Sequence, residues 1–578
     1  MVSRIEIVSN ATRGTLHHYI VENYERGRDE DAAFVVEAID LHNAGEIDLL
    51  ATATPAALSE VAGFQFFTLQ HFYCKAIPSL EADPLRLMES VDRLVTAGGQ
   101  DMAAFQPNGA FRDWCAATAG RVEEVLRVIE SNIPQTKGFL SLTLDAGGRS
   151  DAPGYLAKAI SYIRDIPDLR LGALTSLARI DSSTSPELAE EALKLIASLL
   201  TEDADDMLRT HILVAAINLY VRSPASLHER ALAVVQSALS QGGNGVLDRG
   251  ASALLQHRNE LSDDFIELLL TALEGVNPAN KGTISSLDGA LSQLLDGVHG
   301  IRVSSLLEKL LLAHPNALAL KEFQGVGNEL LMNRRALLDD MVVRWLMSGE
   351  SALADAISHL VGSVGGEPVI FNIDLGPYGL SDQDTLFLAR KAVGWFFFHP
   401  ITAASLLICI LRIAKGETAD KVGALLFEPL LLNYSGELRE YLAARLKGAR
   451  DKAKPQIRRA LDKLKTYIGD LRSTGFIAEL EPSERDRLIE RQRRNEEVRQ
   501  LQKAVEEASV FMKFIPKSII LYGNASVSYV RDNVEKLHRN YVKMGGISTT
   551  WEVPRLQSID PFILEAQLRT FRAERPKP

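Results

Sequence analysis

The sequence between Asp168 and Gly349 repeats one arrangement with a period of about 36–40 residues. Each period holds two leucine- and alanine-rich segments with helical spacing, separated by a short polar break. Two of the second segments align without a gap, 39 positions apart: Leu188, Ala192, Leu193, Ile196 and Leu200 correspond to Leu227, Ala231, Leu232, Val235 and Leu239. An amphipathic helix pair cannot bury its apolar face alone, so the period predicts pairs that stack side by side.

Five such pairs are predicted in the repeat region. The first helices are expected from Asp168, Asp206, Val246, Thr283 and Lys321, and the second helices from Pro186, Pro224, Asp263, Ile301 and Arg335. Ser185 and Ser223 each stand immediately before a proline. A hydroxyl at the cap and a proline at the first helical position suit a helix start, so we predict that both serines are N-caps.

This spacing and the order of helices resemble HEAT repeats. The Asp and Arg that often mark the turn and the second helix of that repeat are absent from some of the units. The resemblance implies an all-α fold, a HEAT-like α-solenoid of stacked antiparallel helix pairs. It concerns architecture and implies no particular activity.

The rest of the chain departs from the period, and we predict six regions. These are an irregular N-terminal helical region (1–167), the HEAT-like repeats (168–364), an inserted loop or hairpin with strand-like composition (365–384), further helix pairs (385–448), charged long helices (449–513) and a small irregular C-terminal module (514–578). Within the last region, 518–522 and 526–530 are β-prone runs separated by Gly523 and Asn524.

Size and composition exclude several classes of protein. A chain of 578 residues exceeds what one hydrophobic core can organise. Three cysteines without metal-site spacing argue against a disulfide framework and against zinc, and they favour a reducing, cytoplasmic location. The apolar run 392–413 is long enough to cross a membrane, but His399 and Pro400 divide it, so we expect two buried helices and no membrane contact.

No combination of residues has the spacing of a specific catalytic or cofactor site. Glu22 follows His17 and His18, which puts a histidine and a carboxylate four residues apart on one helix face, but no third and fourth metal ligand is spaced nearby. Cys74, one turn from His71, lies in an aromatic neighbourhood typical of a buried, inert thiol. We therefore predict no catalytic residues, no metal and no cofactor.

Basic residues concentrate near the start of the charged helices. The residues after Glu440 include 28 Lys and Arg against 18 Asp and Glu, although the whole chain has a net charge of −12. The basic cluster, as we call it, comprises Arg445, Lys447, Arg450, Lys452, Lys454, Arg458, Arg459, Lys463 and Lys465. Such a cluster can neutralise phosphates of DNA or RNA, or it can pack on acidic residues of the same chain.

The insertion supplies the second candidate surface, because insertions in helical repeats often map to a binding face. The residues expected to contact a protein partner are Phe371, Asn372, Asp374, Tyr378 and Asp382.

Three functions follow from these features. The first is a non-enzymatic scaffold or adaptor that binds a protein partner on the solenoid surface. The alternative is a solenoid that binds DNA or RNA through the basic cluster. The third is an enzyme whose site is assembled from separate repeats. The oligomeric state does not follow from the sequence.

Overall fold

The computed structural model is mostly helical. It describes residues 3–24, 29–61, 63–99, 101–201, 204–362, 367–448, 451–475, 477, 481–508, 517–521, 525–531, 537–543 and 552–576. The chain divides into two units, unit 1 (Met1–Leu338) and unit 2 (Asp339–Pro578).

Unit 1 contains α-helices throughout its described length. They are α1 (Arg4–Arg13), α2 (Leu16–Asn23), α3 (Asp29–Asn43), α4 (Leu49–Thr52), α5 (Pro55–Ser59), α6 (Phe64–Ala76), α7 (Pro84–Gly98), α8 (Gln106–Ala117), α9 (Arg121–Ser131), α10 (Ile133–Thr136), α11 (Leu140–Gly148), α12 (Ala152–Asp165), α13 (Arg170–Leu177), α14 (Pro186–Ser198), α15 (Asp206–Arg222), α16 (His228–Ser240), α17 (Asn244–His257), α18 (Asp263–Ala272), α19 (Lys281–Leu294), α20 (Gly300–Ala313) and α21 (Gln324–Met332). The next helix, α22 (Arg335–Ser348), contains the boundary between the units.

A helix is present at each of the ten predicted positions of the repeat region, from α13 to α22. The first helices contact one another in order, α13 with α15, α15 with α17, α17 with α19, and α19 with α21. The second helices do the same from α14 to α16 and from α16 to α18. Leucine, isoleucine and alanine side chains fill the space between these rows, as Ala192, Leu193 and Ile196 do on α14.

Carboxylates connect successive first helices. Asp206 of α15 accepts a hydrogen bond from the backbone N–H of Gly245 in α17 at 2.9 Å. Asp248 of α17 accepts one from the Thr283 hydroxyl of α19 at 3.1 Å. Asp288 of α19 accepts two, from the N–H groups of Gly325 and Val326 at the start of α21, at 2.8 and 2.9 Å. Each acidic side chain thus satisfies donors near the start of the next first helix, where N–H groups have no partner within their own helix.

The predicted serine caps are wrong in detail. Ser185 precedes α14, and Pro186 is its first residue, but the Ser185 side chain makes no capping hydrogen bond. Pro224 adopts an extended conformation, and α16 begins only at His228, after a turn of 3-10 helix. The Ser223 hydroxyl is buried without a hydrogen-bond partner in the part of the chain that the structure describes.

Unit 2 is helical with one small sheet. Its helices are α23 (Ser351–Gly362), α24 (Asp382–Phe396), α25 (Pro400–Ile413), α26 (Gly416–Leu425), a turn of π-helix (Leu426–Leu431), α27 (Glu437–Lys447), α28 (Lys454–Ser473), α29 (Glu484–Ala508), α30 (Arg555–Ile559) and α31 (Pro561–Ala573). The strands are β1 (Lys517–Leu521), β2 (Ala525–Arg531) and β3 (Leu537–Lys543).

The apolar run 392–413 is divided as predicted. Helix α24 ends at Phe396 and α25 begins at Pro400, which occupies the first helical position. Both helices are largely buried, with Phe396, Leu407 and Ile410 fully inaccessible to solvent. Among the residues that the structure describes, no helix combines the length and the apolar character that a bilayer crossing requires.

The C-terminal module contains more regular structure than the sequence predicts. The two β-prone runs become β1 and β2, which pair antiparallel with Ile519 opposite Val527. A third strand that the sequence pattern did not indicate, β3, pairs antiparallel with β2 and completes the order β1-β2-β3. Gly523 and Asn524, which separate the two runs, lie outside the described residues.

The final helix, α31, packs on α24. The guanidinium of Arg390 binds the Glu574 carboxylate through two hydrogen bonds of 2.6 and 2.5 Å. The Lys391 ammonium donates to the carbonyl of Arg572 in the last turn of α31, at 2.6 Å. A cation at a helix C-terminus satisfies carbonyl groups that have no partner within the helix, so these contacts fix the end of the chain on unit 2.

Candidate functional site

Residues 369–375 of the predicted partner-binding insertion form an extended, partly buried segment that we call the strap. Burial alternates along residues 369–375, with Val369, Phe371, Ile373 and Leu375 buried and the residues between them exposed. This is the pattern of an extended chain with one face on a core. No strand is assigned in residues 367–382, so the described part of the insertion is a loop without a hairpin.

The strap is held by side chains of α25. The backbone N–H of Phe371 donates to the Ser405 hydroxyl at 2.9 Å, and that of Ile373 donates to the Cys409 sulfur at 3.2 Å. Two residues of extended chain advance about 6.6 Å and four residues of helix about 6.0 Å, so the two spacings match. The strap therefore follows the helix axis over these residues.

The structure corrects the expectation for Phe371, whose side chain is only 2% exposed and packs near Phe396. The ring belongs to the core of unit 2, because residues with this burial cannot contact a partner from solvent. The side chains of Asn372, Asp374 and Asp382 are exposed.

Three of the remaining insertion residues have internal partners. Asp374 accepts a hydrogen bond from the backbone N–H of Gly376 at 3.0 Å. Asn372 accepts a hydrogen bond from Arg412 at 2.6 Å. The Tyr378 hydroxyl donates to Asp340 at 2.9 Å, and burial together with this bond raises the pKa of Tyr378 to about 12. These contacts hold the insertion on unit 2 and reduce the polar surface that it offers to a partner.

The basic cluster is partly neutralised inside unit 2. Arg459 donates to Asp420 of α26 at 2.6 Å. Lys454 donates to the carbonyls of Leu446 and Gly448 and so caps the end of α27, at 2.9 and 2.7 Å. The Arg445 guanidinium lies 5.1 Å from the Tyr441 ring centroid. These contacts fit the intramolecular alternative that the sequence left open.

Other members of the basic cluster face solvent. Lys447, Lys452, Arg458 and Lys465 are exposed, and among the described residues no hydrogen bond or ion pair involves their charged groups. Lys463 is exposed too, with its ammonium 5.8 Å from the Phe427 ring centroid. Arg450 lies outside the described residues. Among the described residues, these basic side chains without an ion-pair partner are scattered along α28 and the chain just before it.

A groove in unit 1, which the sequence did not reveal, collects positive charge. It crosses α13, α15 and α17, with a cavity volume of about 370 Å³. On α15, Thr210, Val214 and Asn218 line it at intervals of four residues, which places them on one helix face. We call it the α13–α17 groove.

Three arginines and two histidines line the α13–α17 groove, and no Asp or Glu does: these residues are Arg179, Arg222, Arg249, His211 and His257. The whole chain holds 75 acidic residues and has a net charge of −12, so the charge of the groove lining is opposite in sign to that of the chain. The groove is therefore a positive surface on an otherwise acidic protein.

The three arginines of the groove differ in how they are held. Arg179 donates to Asp145 at 3.0 Å. Arg222 donates to the backbone carbonyls of Arg179 and Ile180 at 2.6 and 3.2 Å. Arg249 is exposed, and within the described residues its guanidinium takes part in no hydrogen bond or ion pair. At least one guanidinium is thus available to an anionic ligand without breaking an internal contact.

Asp145 is a carboxylate that pairs with Arg179 of this positive surface. Its side chain is 7% exposed, and burial raises the pKa of Asp145 even though Arg179 lowers it. The second carboxylate oxygen, Oδ1, is buried without a partner among the described residues. Asp145 is therefore a poorly solvated charge that offsets only part of the positive potential of the groove.

Two of the three thiols, those of Cys115 and Cys409, are buried, whereas Cys74, which the sequence predicts to be buried, is half-buried. Cys115 is buried, and desolvation raises the pKa of its thiol to about 12. Burial also raises the pKa of Cys409, which accepts the hydrogen bond from the strap. A reactive cysteine needs a lowered pKa, so these two thiols are structural.

Comparison with known proteins gives no family. No family model matches the sequence, and a search of curated proteins finds no significant relative.

Proposed function

We propose that this protein is a non-enzymatic scaffold, built from HEAT-like stacked helix pairs, that binds an acidic segment of a protein partner in the α13–α17 groove. The stacked architecture is supported by the ordered contacts among the first helices and by the carboxylates of Asp206, Asp248 and Asp288, each bonded to the next first helix. Contacts restricted to neighbouring repeats are the defining property of a solenoid.

The observation that carries the binding proposal is the charge of the groove lining. Arg179, Arg222 and Arg249 face it without a single lining carboxylate. Because guanidinium groups bind carboxylates with paired hydrogen bonds, a peptide rich in Asp and Glu is the complementary ligand. The lining also includes Asn218 and Gln256, whose amide groups suit the backbone of a peptide.

The dimensions of the groove favour an extended segment. Neighbouring packed helices lie about 8–10 Å apart, so a groove across three helices spans about 20 Å. Extended chain covers that distance in about six residues. We therefore expect recognition of a short acidic stretch rather than of a folded surface.

Binding of DNA or RNA through the basic cluster is our second proposal. Its support is the set of exposed charges at Lys447, Lys452, Arg458 and Lys465. We rank it lower because Arg459 and Lys454 have intramolecular partners and because Asp462 and Asp470 lie among the basic side chains on α28. An enzyme is ranked third, since the groove has no carboxylate to pair with His211 or His257 as acid and base.

Fluorescence anisotropy with labelled probes tests these proposals together. The probes are a glutamate-rich peptide, the same peptide with glutamine at each glutamate, and single-stranded DNA of similar length. We expect the full chain to bind the acidic peptide with an affinity that falls as salt rises, and to bind the glutamine peptide far more weakly. Equal affinity for both peptides, or preferential binding of DNA, would reject the acidic-segment proposal.

A further inference from the structure

His17 and His18 of α2 converge on Glu60, the residue that follows α5. The His17 Nε2 atom lies 2.8 Å from Glu60 Oε2, and the His18 Nε2 atom lies 3.2 Å from the same oxygen. One ligand atom from each of the three side chains lies within 4.8 Å of the others. The sequence suggested Glu22 as the partner of these histidines, whereas the structure brings in a carboxylate from 42 positions beyond His18.

We propose that His17, His18 and Glu60 form a binding site for Zn²⁺ or a similar divalent transition-metal ion. Zinc binds imidazole nitrogen and carboxylate oxygen at about 2.0–2.2 Å, which places tetrahedral ligand atoms about 3.3–3.5 Å apart. The two nitrogen-to-oxygen distances are close to this value, so an ion requires only small movements of the three side chains. The inference is independent of the proposed function, because it concerns a different part of unit 1.

The three proposed ligands differ in their exposure to solvent, and this difference suits metal binding. His17 is 4% exposed, so packing holds its ring in place. The side chains of His18 and Glu60 are 51% and 56% exposed, which gives an ion access from solvent. A site with one buried ligand and two solvent-accessible ligands can bind an ion while the protein stays folded.

The ligand set selects the class of ion. Two imidazoles and one carboxylate favour zinc and its neighbours, whereas Mg²⁺ and Ca²⁺ prefer oxygen ligands. Three protein ligands leave a fourth position for water, as in zinc sites that remain open.

The test is zinc binding by the untagged full chain, measured by competition with a chromophoric chelator. The variants are His18→Ala and Glu60→Gln, both at exposed positions, with circular dichroism as a check of folding. Glu22→Gln is the matched control, since Glu22 is an exposed carboxylate on the same helix, four residues from His18. Co²⁺ serves as a spectroscopic probe of the coordination geometry.

We expect the wild-type chain to bind one Zn²⁺ per molecule and to show the visible bands of tetrahedral Co²⁺. Each site variant should weaken zinc binding at least about tenfold, in line with loss of one of three ligands, while Glu22→Gln leaves it unchanged. Absence of stoichiometric zinc binding by the wild-type chain, or equal affinity in Glu60→Gln, would overturn the proposal. In that case Glu60 only accepts hydrogen bonds from the two histidines.

Discussion

The carboxylates of the first helices in the repeats and the carboxylate beside helix α28 accept hydrogen bonds from different kinds of donor. In the repeats, Asp206 and Asp288 accept hydrogen bonds from backbone N–H groups at the start of the next first helix. On α28, Arg459 is paired with Asp420, a carboxylate of the neighbouring helix. Arg249 has no partner among the described residues, and on α28 Arg458 likewise has none although its neighbour Arg459 is paired. The density of basic residues along the sequence therefore does not show which individual charges are paired.

The largest effect is expected from reversing one charge in each region. Arg249→Glu should weaken binding of the acidic peptide about tenfold or more, because it removes an attractive contact and adds a repulsive one. Arg458→Glu on α28, at a position that is also exposed, should leave that affinity unchanged. Anisotropy titrations of both variants provide the measurement. If Arg458→Glu has the larger effect, the comparison between the regions is wrong.

A second prediction concerns the carboxylates that join the repeats. Asp288→Ala should lower the free energy of unfolding by about 1–2 kcal/mol, because two N–H groups at the start of α21 lose their acceptor. Asp420→Ala removes an exposed ion pair and should change stability very little. Urea denaturation of both variants measures the difference. Equal loss of stability in the two would indicate that Asp288 does not join neighbouring helices.

A third, smaller effect is expected at Asp145. Asp145→Asn removes the negative charge beside Arg179 and should strengthen acidic-peptide binding a few-fold, the magnitude of a single partly screened charge. Asp113→Asn is a suitable control, since that exposed carboxylate pairs with Arg149 outside the groove. Unchanged or weaker binding in Asp145→Asn would argue that the groove does not attract anions.

The same variant should alter the pH dependence of stability. Because burial raises the pKa of Asp145 above its ordinary value of 3.8, folding favours the protonated carboxyl. Its contribution to stability is complete below that value and is lost as the pH rises through the folded-state pKa. Relative to wild type, Asp145→Asn should therefore gain stability from about pH 4 upward, as measured by chemical denaturation at several pH values. A constant difference across this range would contradict the role of burial.

The sequence predicts most helices of the repeat region because their signal is local. Leucine and alanine at helical spacing mark each segment, and His399 with Pro400 marks the division of the long apolar run. The two β-prone runs likewise predict β1 and β2, since strand composition is readable within a few residues. Helix caps are less predictable: the hydroxyls of Ser185 and Ser223 both had suitable neighbours, yet neither caps a helix.

The burial of Phe371 has a signal in the sequence. From Phe371 to Leu375 apolar and polar residues alternate, and this period of two predicts one buried face, although the apolar Ile370 interrupts it at the N-terminal side. A segment with strand-like composition can therefore pack as an extended chain on a helix, as the strap does on α25.

The candidate sites could not be derived from local patterns. The α13–α17 groove joins Arg179, Arg222 and Arg249 from separate helices, and Glu60 reaches His17 from a different part of the chain. Spacing along the sequence does not encode such convergence, because it depends on how the helices pack. The only sequence clue to the groove is the lack of acidic residues at its lining positions, which becomes informative once the packing is known.

The most direct test of the account is photo-crosslinking of the acidic peptide to the full chain, with the modified residues located by mass spectrometry. The account predicts crosslinks on α13, α15 and α17, around Asn218 and Gln256, and their loss in Arg249→Glu. Crosslinks concentrated on α28, or a pattern unaffected by Arg249→Glu, would contradict the claim that the repeats hold the acidic segment.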